Sequence, residues 1–267
     1  MLRFWLTYFL VMGGLVLQAQ KLGEWKQKRI IDVESIDVRI DQLNNVYALE
    51  RAQIEKFDSD GKLLTRYSNK LIGEDIQVDV SNPMKVLVFS PNQMRLVFLD
   101  SRLGELRDEA NLFRLGFQQI SLAATSHSNG FWLYDPINFK LIRFDQHFKK
   151  ERESMNLAQI LRLEFYPTDL KELDNRVYLT DPSHGVFVFD IYGNYLKRIP
   201  IKGIVQLKLT NDYMFFQKAS VLFALNLRDQ SENRVQLTAD FAQPFDVNRS
   251  LIALNMGKEI IIYAPKP

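Results

Sequence analysis

Along Asn175–Asn194 (NRVYLTDPSHGVFVFDIYGN) two short apolar runs are separated by one turn signal and followed by another. Val177–Thr180 and Val186–Asp190 are rich in Val, Tyr and Phe, residues that suit a pleated strand. Between them lies Asp181-Pro182-Ser183-His184-Gly185, where proline pre-sets φ and glycine supplies a positive φ. Ile191-Tyr192-Gly193-Asn194 repeats the signal. The pattern predicts a β-hairpin followed by a second tight turn.

The same pattern recurs. Strands ending in an apolar residue, usually followed by an aspartate, close at Phe57, Leu99, Phe144, Phe189, Leu225 and Tyr263. The spacings are 42, 45, 45, 36 and 38 residues, the size of a four-stranded propeller blade, ~40–50 residues. Each anchor strand follows a second apolar run: Val46–Leu49, Val86–Phe89, Phe131–Tyr134, Val177–Thr180, Met214–Phe216 and Leu251–Leu254. Asn or Asp precedes each run and suits a tight link because its side chain bonds its own backbone. A first strand lies further upstream: Ile36–Ile40, Ile76–Val80, Ile120–Ala124, Phe165–Thr168, Ile204–Leu209 and Phe245–Val247. A polar outer strand follows, as in Leu63–Tyr67, Tyr195–Ile199 and Arg234–Leu237.

The sixth unit has only Ala264-Pro265-Lys266-Pro267 after Tyr263, with no outer strand. The run Glu24–Val33 supplies one from the other end of the chain. Pairing the two removes the exposed edges that invite aggregation. The expected fold is therefore all-β: a six-bladed β-propeller of four-stranded antiparallel blades, the last completed by the N-terminal strand.

These units resemble those of the NHL-type six-bladed propellers. The matching residues are Val38-Arg39-Ile40-Asp41, then Asn45-Val46-Tyr47, then Ile54-Glu55-Lys56-Phe57-Asp58-Ser59-Asp60-Gly61. Asp169, Asn175, Tyr178, Asp181, Phe189, Asp190 and Gly193 repeat them. The fifth and sixth units depart: Asn226 and Ala264 replace the strand-end aspartate, and the turn glycine is missing. The resemblance implies the fold; propellers host enzymes, receptors and scaffolds alike.

Residues 1–20, MLRFWLTYFLVMGGLVLQAQ, add a different element. Arg3, an apolar run over Phe4–Leu17 and a small Ala19 have the layout of a cleaved export signal, with a retained membrane anchor as the rival reading. We therefore expect a signal peptide over 1–19, a propeller over 20–267 and residence in the periplasm or at the outer membrane. No transmembrane segment is expected after signal removal. The chain has no cysteine, which excludes disulfides, thiolate metal sites and cysteine nucleophiles. Net charge is +2, without a long basic tract, so no nucleic-acid partner is expected.

Two sets of residues could carry axial chemistry. Asp41, Asp79, Thr125, Asp169, Thr210 and Asp246 end the first strands and read either as hard-oxygen cation ligands or as caps of their own turns. Turn-capping accounts for all of them without a metal. Strand starts at the opposite face supply Glu34, Asp75, Gln119, Glu164 and Gln243. These invite comparison with the gluconolactonase-like propellers, a resemblance that implies a divalent metal held at the axis, here by Glu34, Asp75 and Glu164, in a hydrolase or lyase. Their offsets to the strand-end set vary from 3 to 7 residues, whereas convergent ligands sit at one depth. His127, His147 and His184 fall in separate turns and read as solvated loop histidines. No phosphate-binding loop or Gly-x-Ser-x-Gly elbow is present.

Asn111–Gln118 and Ser154–Tyr166 are longer and more apolar than a link requires. Leu157, Ile160, Leu161 and Leu163 approach helical spacing and predict a short helix. These loops either cap the gaps between blades or present a patch, formed by Phe113, Arg114, Phe117, Leu161, Phe165 and Tyr166, to a protein partner. The function expected is a non-enzymatic binding or scaffold module needing no cofactor, with an envelope protein or complex as partner. A metal-dependent hydrolase or lyase and a sugar or peptide binder are the alternatives. On export, a tagged protein is expected in the envelope fraction with its mature N-terminus near Gln20; uncleaved protein in the cytoplasm would reject the leader assignment.

Overall fold

The computed structural model describes residues 24–106, 109–218, 220–238 and 244–266. The leader assignment and Gln243 lie outside them. β1 (Trp25–Asp32) comes first. Blade 1 is β2 (Asp37–Ile40), β3 (Val46–Glu50), β4 (Gln53–Phe57) and β5 (Leu63–Ser68). Blade 2 is β6 (Gln77–Asp79), β7 (Val86–Ser90), β8 (Arg95–Leu99) and β9 (Ala110–Asn111). Blade 3 is β10 (Leu122–Thr125), β11 (Phe131–Asp135), β12 (Lys140–Phe144) and β13 (Lys150–Glu153). A short helix α1 (Leu157–Leu161) leads to blade 4: β14 (Asp169–Leu173), β15 (Arg176–Asp181), β16 (Gly185–Asp190) and β17 (Tyr195–Ile199). Blade 5 is β18 (Lys208–Leu209), β19 (Tyr213–Lys218), β20 (Val221–Asn226) and β21 (Glu232–Val235). Blade 6 is β22 (Phe245–Val247), β23 (Ile252–Asn255) and β24 (Glu259–Pro265), with β1 as its outer strand.

Each blade is one antiparallel sheet in chain order from the axis outward, and in blade 6 β1 pairs with β24 from Trp25↔Pro265 to Asp32↔Glu259. The expected closure of the ring is thus observed. Apolar residues collect in six clusters, one in each gap between consecutive blades. Alternate residues of a strand point to opposite faces, and in a propeller both faces are covered. On β3, Tyr47 and Leu49 face blade 2 while Val46 and Ala48 face blade 6. This explains why the middle strands read as continuous apolar runs rather than as alternations.

The hairpin of blade 4 follows the predicted turn chemistry. Gly185 sits at φ +106°, and a Cβ there would come within 2.3 Å of the Ile199 carbonyl oxygen. In α1, Asn156 caps the helix by accepting from Gln159 N at 3.0 Å, and Arg162 ends it in left-handed geometry.

One strand assignment is corrected. The inner strand of blade 4 is Asp169–Leu173, not Phe165–Thr168. Pro167 has no N–H for a ladder bond, and the chain joins the sheet two residues later. Asp169 therefore begins its strand instead of ending it.

Among the described residues no helix is long and apolar enough to cross a membrane. Deleting Glu24–Val33 should destabilise the whole ring in one transition. We expect a loss of at least ~3 kcal/mol, roughly 10 °C for a domain of this size. Melting like that of the undeleted chain would contradict closure by β1.

Candidate functional site

Inner strands are polar where they face the axis. Arg39, Asp79 and Lys171 line two cavities, one opening on each face of the ring, and so mark the waist of an axial channel. The cavity of about 340 Å³ opens among the turns between first and second strands, the turn face. The cavity of about 390 Å³ opens among the inter-blade loops, the loop face.

Three ion pairs line the channel: Arg39 Nη1 to Asp37 Oδ1 at 2.6 Å within β2, Lys171 Nζ to Asp79 Oδ2 at 3.6 Å between blades 4 and 2, and Lys208 Nζ to Asp246 Oδ1 at 3.4 Å between the adjacent blades 5 and 6. Three carboxylates also accept the backbone N–H of the next blade's inner segment. Asp79 accepts from Thr125 at 3.1 Å, Asp169 from Leu207 at 2.6 Å and Asp246 from Ile40 at 2.7 Å. These clasps join blades 2 to 3, 4 to 5 and 6 to 1. Asp41 instead caps its own turn, accepting from Leu43 N, Asn45 N and Nδ2, and the Tyr47 hydroxyl.

The strand-end set is therefore split between turn caps and cross-blade clasps. The cations Arg39, Lys171 and Lys208 were missed in the sequence. Their signal is a charge two residues from an already noted strand-end or strand-start position, on the same face of a period-two strand.

Burial opposes ionisation of Asp37 and Asp79. Arg39 and Lys208 hold Asp37 below its ordinary value, and Lys171 and Ser81 do so for Asp79. Among the described residues no cation is bonded to Asp169, and its enclosure pushes it up. Burial and the neighbouring Arg39 charge hold Lys208 down.

A second polar network sits between blades 3 and 4. The Glu172 carboxylate accepts from Ser126 Oγ, from His127 N at 2.9 Å and from Trp132 Nε1 at 2.6 Å, and meets His127 Nδ1 at 2.9 Å. Burial raises its pKa, but these bonds outweigh burial and hold it below the ordinary 4.5. His127 is thus engaged by a carboxylate rather than simply solvated, and His184 similarly meets Asp181 at 3.1 Å in its own turn. His147 is exposed, 3.2 Å from Gln146.

The carboxylates of the metal reading are dispersed. Glu34, Asp75 and Glu164 are exposed; of the three, Asp75 lines the loop-face cavity. Among the described residues no group of three or more His, Cys, Asp or Glu could hold a metal ion.

The loop face is built by a repeated bond. Five of the inter-blade segments donate a backbone N–H to the turn between the second and third strands of the blade they leave. The pairs are Asn69 to Ala52 at 3.2 Å, Leu112 to Met94 at 2.8 Å, Leu157 to Phe139 at 2.8 Å, Gly203 to Pro182 at 2.7 Å and Ser35 to Gly257 at 2.9 Å. This holds the long loops on one face. Phe113 and Tyr166 project from it, 55% and 71% exposed, with Arg114 also exposed. Phe117 is half-buried and meets Phe144 edge-on at 6.0 Å between ring centres. Leu161 lines an open groove with Phe187 and Tyr195. Phe165 is 2% exposed and packs edge-on against Tyr134 and Phe187, so it anchors its loop from below.

Among solved structures, that of streptogramin B lyase superposes with a TM-score of 0.63 at 11% identity, over 91% of this chain and 97% of that one. Virginiamycin B lyase from Staphylococcus aureus gives 0.61 at 12% identity, over 91% and 100%. The WD40 domain of Neurospora crassa Pan2 gives 0.58 at 13%, over 92% and 97%. At these identities the likeness concerns the fold alone. No protein-family model and no curated protein sequence matches the chain. The chain is a six-bladed β-propeller.

Glu172→Gln tests the second network. It should cost about 2 kcal/mol at neutral pH, the scale of a charge-assisted bond lost in a buried site. A carboxylate with a depressed pKa contributes stability that is present above 4.5 and lost as pH falls through its lower folded value. Denaturant titrations from pH 7 down to 3 should therefore show the gap between wild type and variant closing on acidification. A gap independent of pH would show that the ionised form is not what the network holds.

Proposed function

We propose that this protein is an exported, NHL-like propeller that acts as a non-enzymatic binding module of the cell envelope, in the periplasm or at the outer membrane. It engages a protein partner through the loop face around blade 3.

The observation that carries this reading is where exposed apolar side chains cluster. Phe113 and Leu115 precede blade 3, Ile137 lies in its central turn, and Met155 and Tyr166 follow it; all five are exposed. Phe117, Leu157 and Phe165 back them from the core. Large apolar groups on a rigid base lose little freedom on binding, and aromatic and Arg side chains dominate hot spots. Arg114 and Arg162 are exposed beside them, which favours an acidic rim on the partner. The axial charges, by contrast, are largely occupied by one another and by backbone N–H groups.

The test is co-purification from the envelope. Phe117 and Phe165 are partly structural, so the informative variant is Phe113→Ser with Tyr166→Ser. Each truncation should cost ~2 kcal/mol of binding, about thirtyfold in affinity, with the melting temperature unchanged. Asp41→Asn with Asp169→Asn should keep the partner. A folded loop variant that retains every partner while the axial variant loses them would move the binding site to the channel.

A further inference from the structure

The turn-face mouth of the channel contains two ammonium groups that, among the described residues, are held by ion pairing rather than by hydrogen bonds. Lys208 is 4% exposed, yet among the described residues its ammonium donates no hydrogen bond. It lies 3.4 Å from Asp246 Oδ1 as an ion pair. Lys171 stands in the same relation to Asp79 at 3.6 Å, likewise without a hydrogen bond. An ammonium carries three N–H donors, and buried polar groups ordinarily find partners. On the acidic side, Asp246 bonds Ile40 N through Oδ2, leaving Oδ1 toward Lys208. Both pairs line the cavity of about 340 Å³, and each feels the charge of the other.

The chemistry of the mouth selects the ligand. Each Lys–Asp pair is neutral as a unit, and Arg39 is matched by Asp37 at 2.6 Å. A free anion would meet Asp79 and Asp246; a free cation would meet the two lysines. A hydroxyl group suits both halves, because it accepts from the ammonium and donates to the carboxylate. The rim adds uncharged polar side chains, among them Gln42, Thr210 and Asn211. The volume falls in the range of small-molecule sites, about 300–1,000 Å³.

We propose that the turn-face mouth binds a neutral polyhydroxylated ligand, a mono- or disaccharide, with the Lys171–Asp79 and Lys208–Asp246 pairs each taking a hydroxyl. This site lies on the face opposite the protein-binding surface and is independent of it.

Isothermal titration of the mature protein with D-glucose, N-acetyl-D-glucosamine and maltose tests the assignment, with glycine and inorganic phosphate as charged controls. At least one sugar should bind at a single site more tightly than either control. Lys208→Gln should weaken it about tenfold, the scale of one charge-assisted hydrogen bond. Ser250→Trp crowds the mouth from an exposed turn without touching either pair. It should abolish binding and serves if Lys208→Gln does not fold. The Phe113→Ser, Tyr166→Ser variant should bind sugar normally, which separates this site from the loop face. Binding by none of the three sugars, binding confined to glycine or phosphate, or sugar binding indifferent to the folded variants would each overturn the proposal.

Discussion

A ring of six sheets is rigid only if its last sheet is joined to its first. Here the seam between blades 6 and 1 is secured at several depths. At the rim, β1 pairs along β24. On the loop face, Ser35 donates to the Gly257 carbonyl, while the Asn255 amide donates to the Ser35 carbonyl at 3.0 Å. At the axis, Asp246 takes the Ile40 N–H at 2.7 Å. These bonds join residues more than 200 positions apart in the chain. They must therefore form late relative to the hairpins, whose contacts are local. The channel width and the spacing of the loops both depend on that closure.

Once closed, the ring converts local regularity into a presenting surface. Five inter-blade segments, including both that flank blade 3, are bonded to the turn of the blade they leave, and each gap between blades is filled by its own apolar cluster. A loop so tied has little freedom left to lose. The exposed side chains around blade 3 are consequently carried by fixed backbone, in contrast to the mobility usual for long surface loops.

Legibility in the sequence followed the range of the interaction. Middle strands such as Val86–Ser90 and Phe131–Asp135 were readable because their apolar runs and turn residues are local. The Asp41 cap was readable because Leu43 and Asn45 lie beside it in the chain. Glu172 was not readable, since Ser126, His127 and Trp132 come from the preceding blade, 40–46 residues away. Lys171 and Lys208 were hidden for the same reason: Lys171 finds Asp79 two blades away and Lys208 finds Asp246 on the next blade. Phe165 looked like a strand start and a surface aromatic, yet Pro167 delays the strand and the ring turns into the gap between blades 3 and 4.

Asp169 in the channel and Glu172 in the blade 3–4 gap answer acid in opposite senses. At the waist of the channel Asp37, Asp79, Asp169 and Asp246 lie beside the cations Arg39, Lys171 and Lys208. Three of the aspartates pair within 3.6 Å of a cation, leaving Asp169 with backbone donors from Leu170 and Leu207. Its pKa is raised by burial in a site poorly reached by water, which the nearby Lys171, Lys208 and Arg39 charges offset only in part. A group whose pKa is raised by folding contributes stability below its unfolded value and loses it as pH rises through the folded value. Glu172, with a depressed pKa, does the reverse. Acidification therefore favours the buried Asp169 while it weakens both the Asp37 and Asp79 ion pairs at the axis and the Glu172 junction of blades 3 and 4, the two blades that hold the longest apolar loop between them.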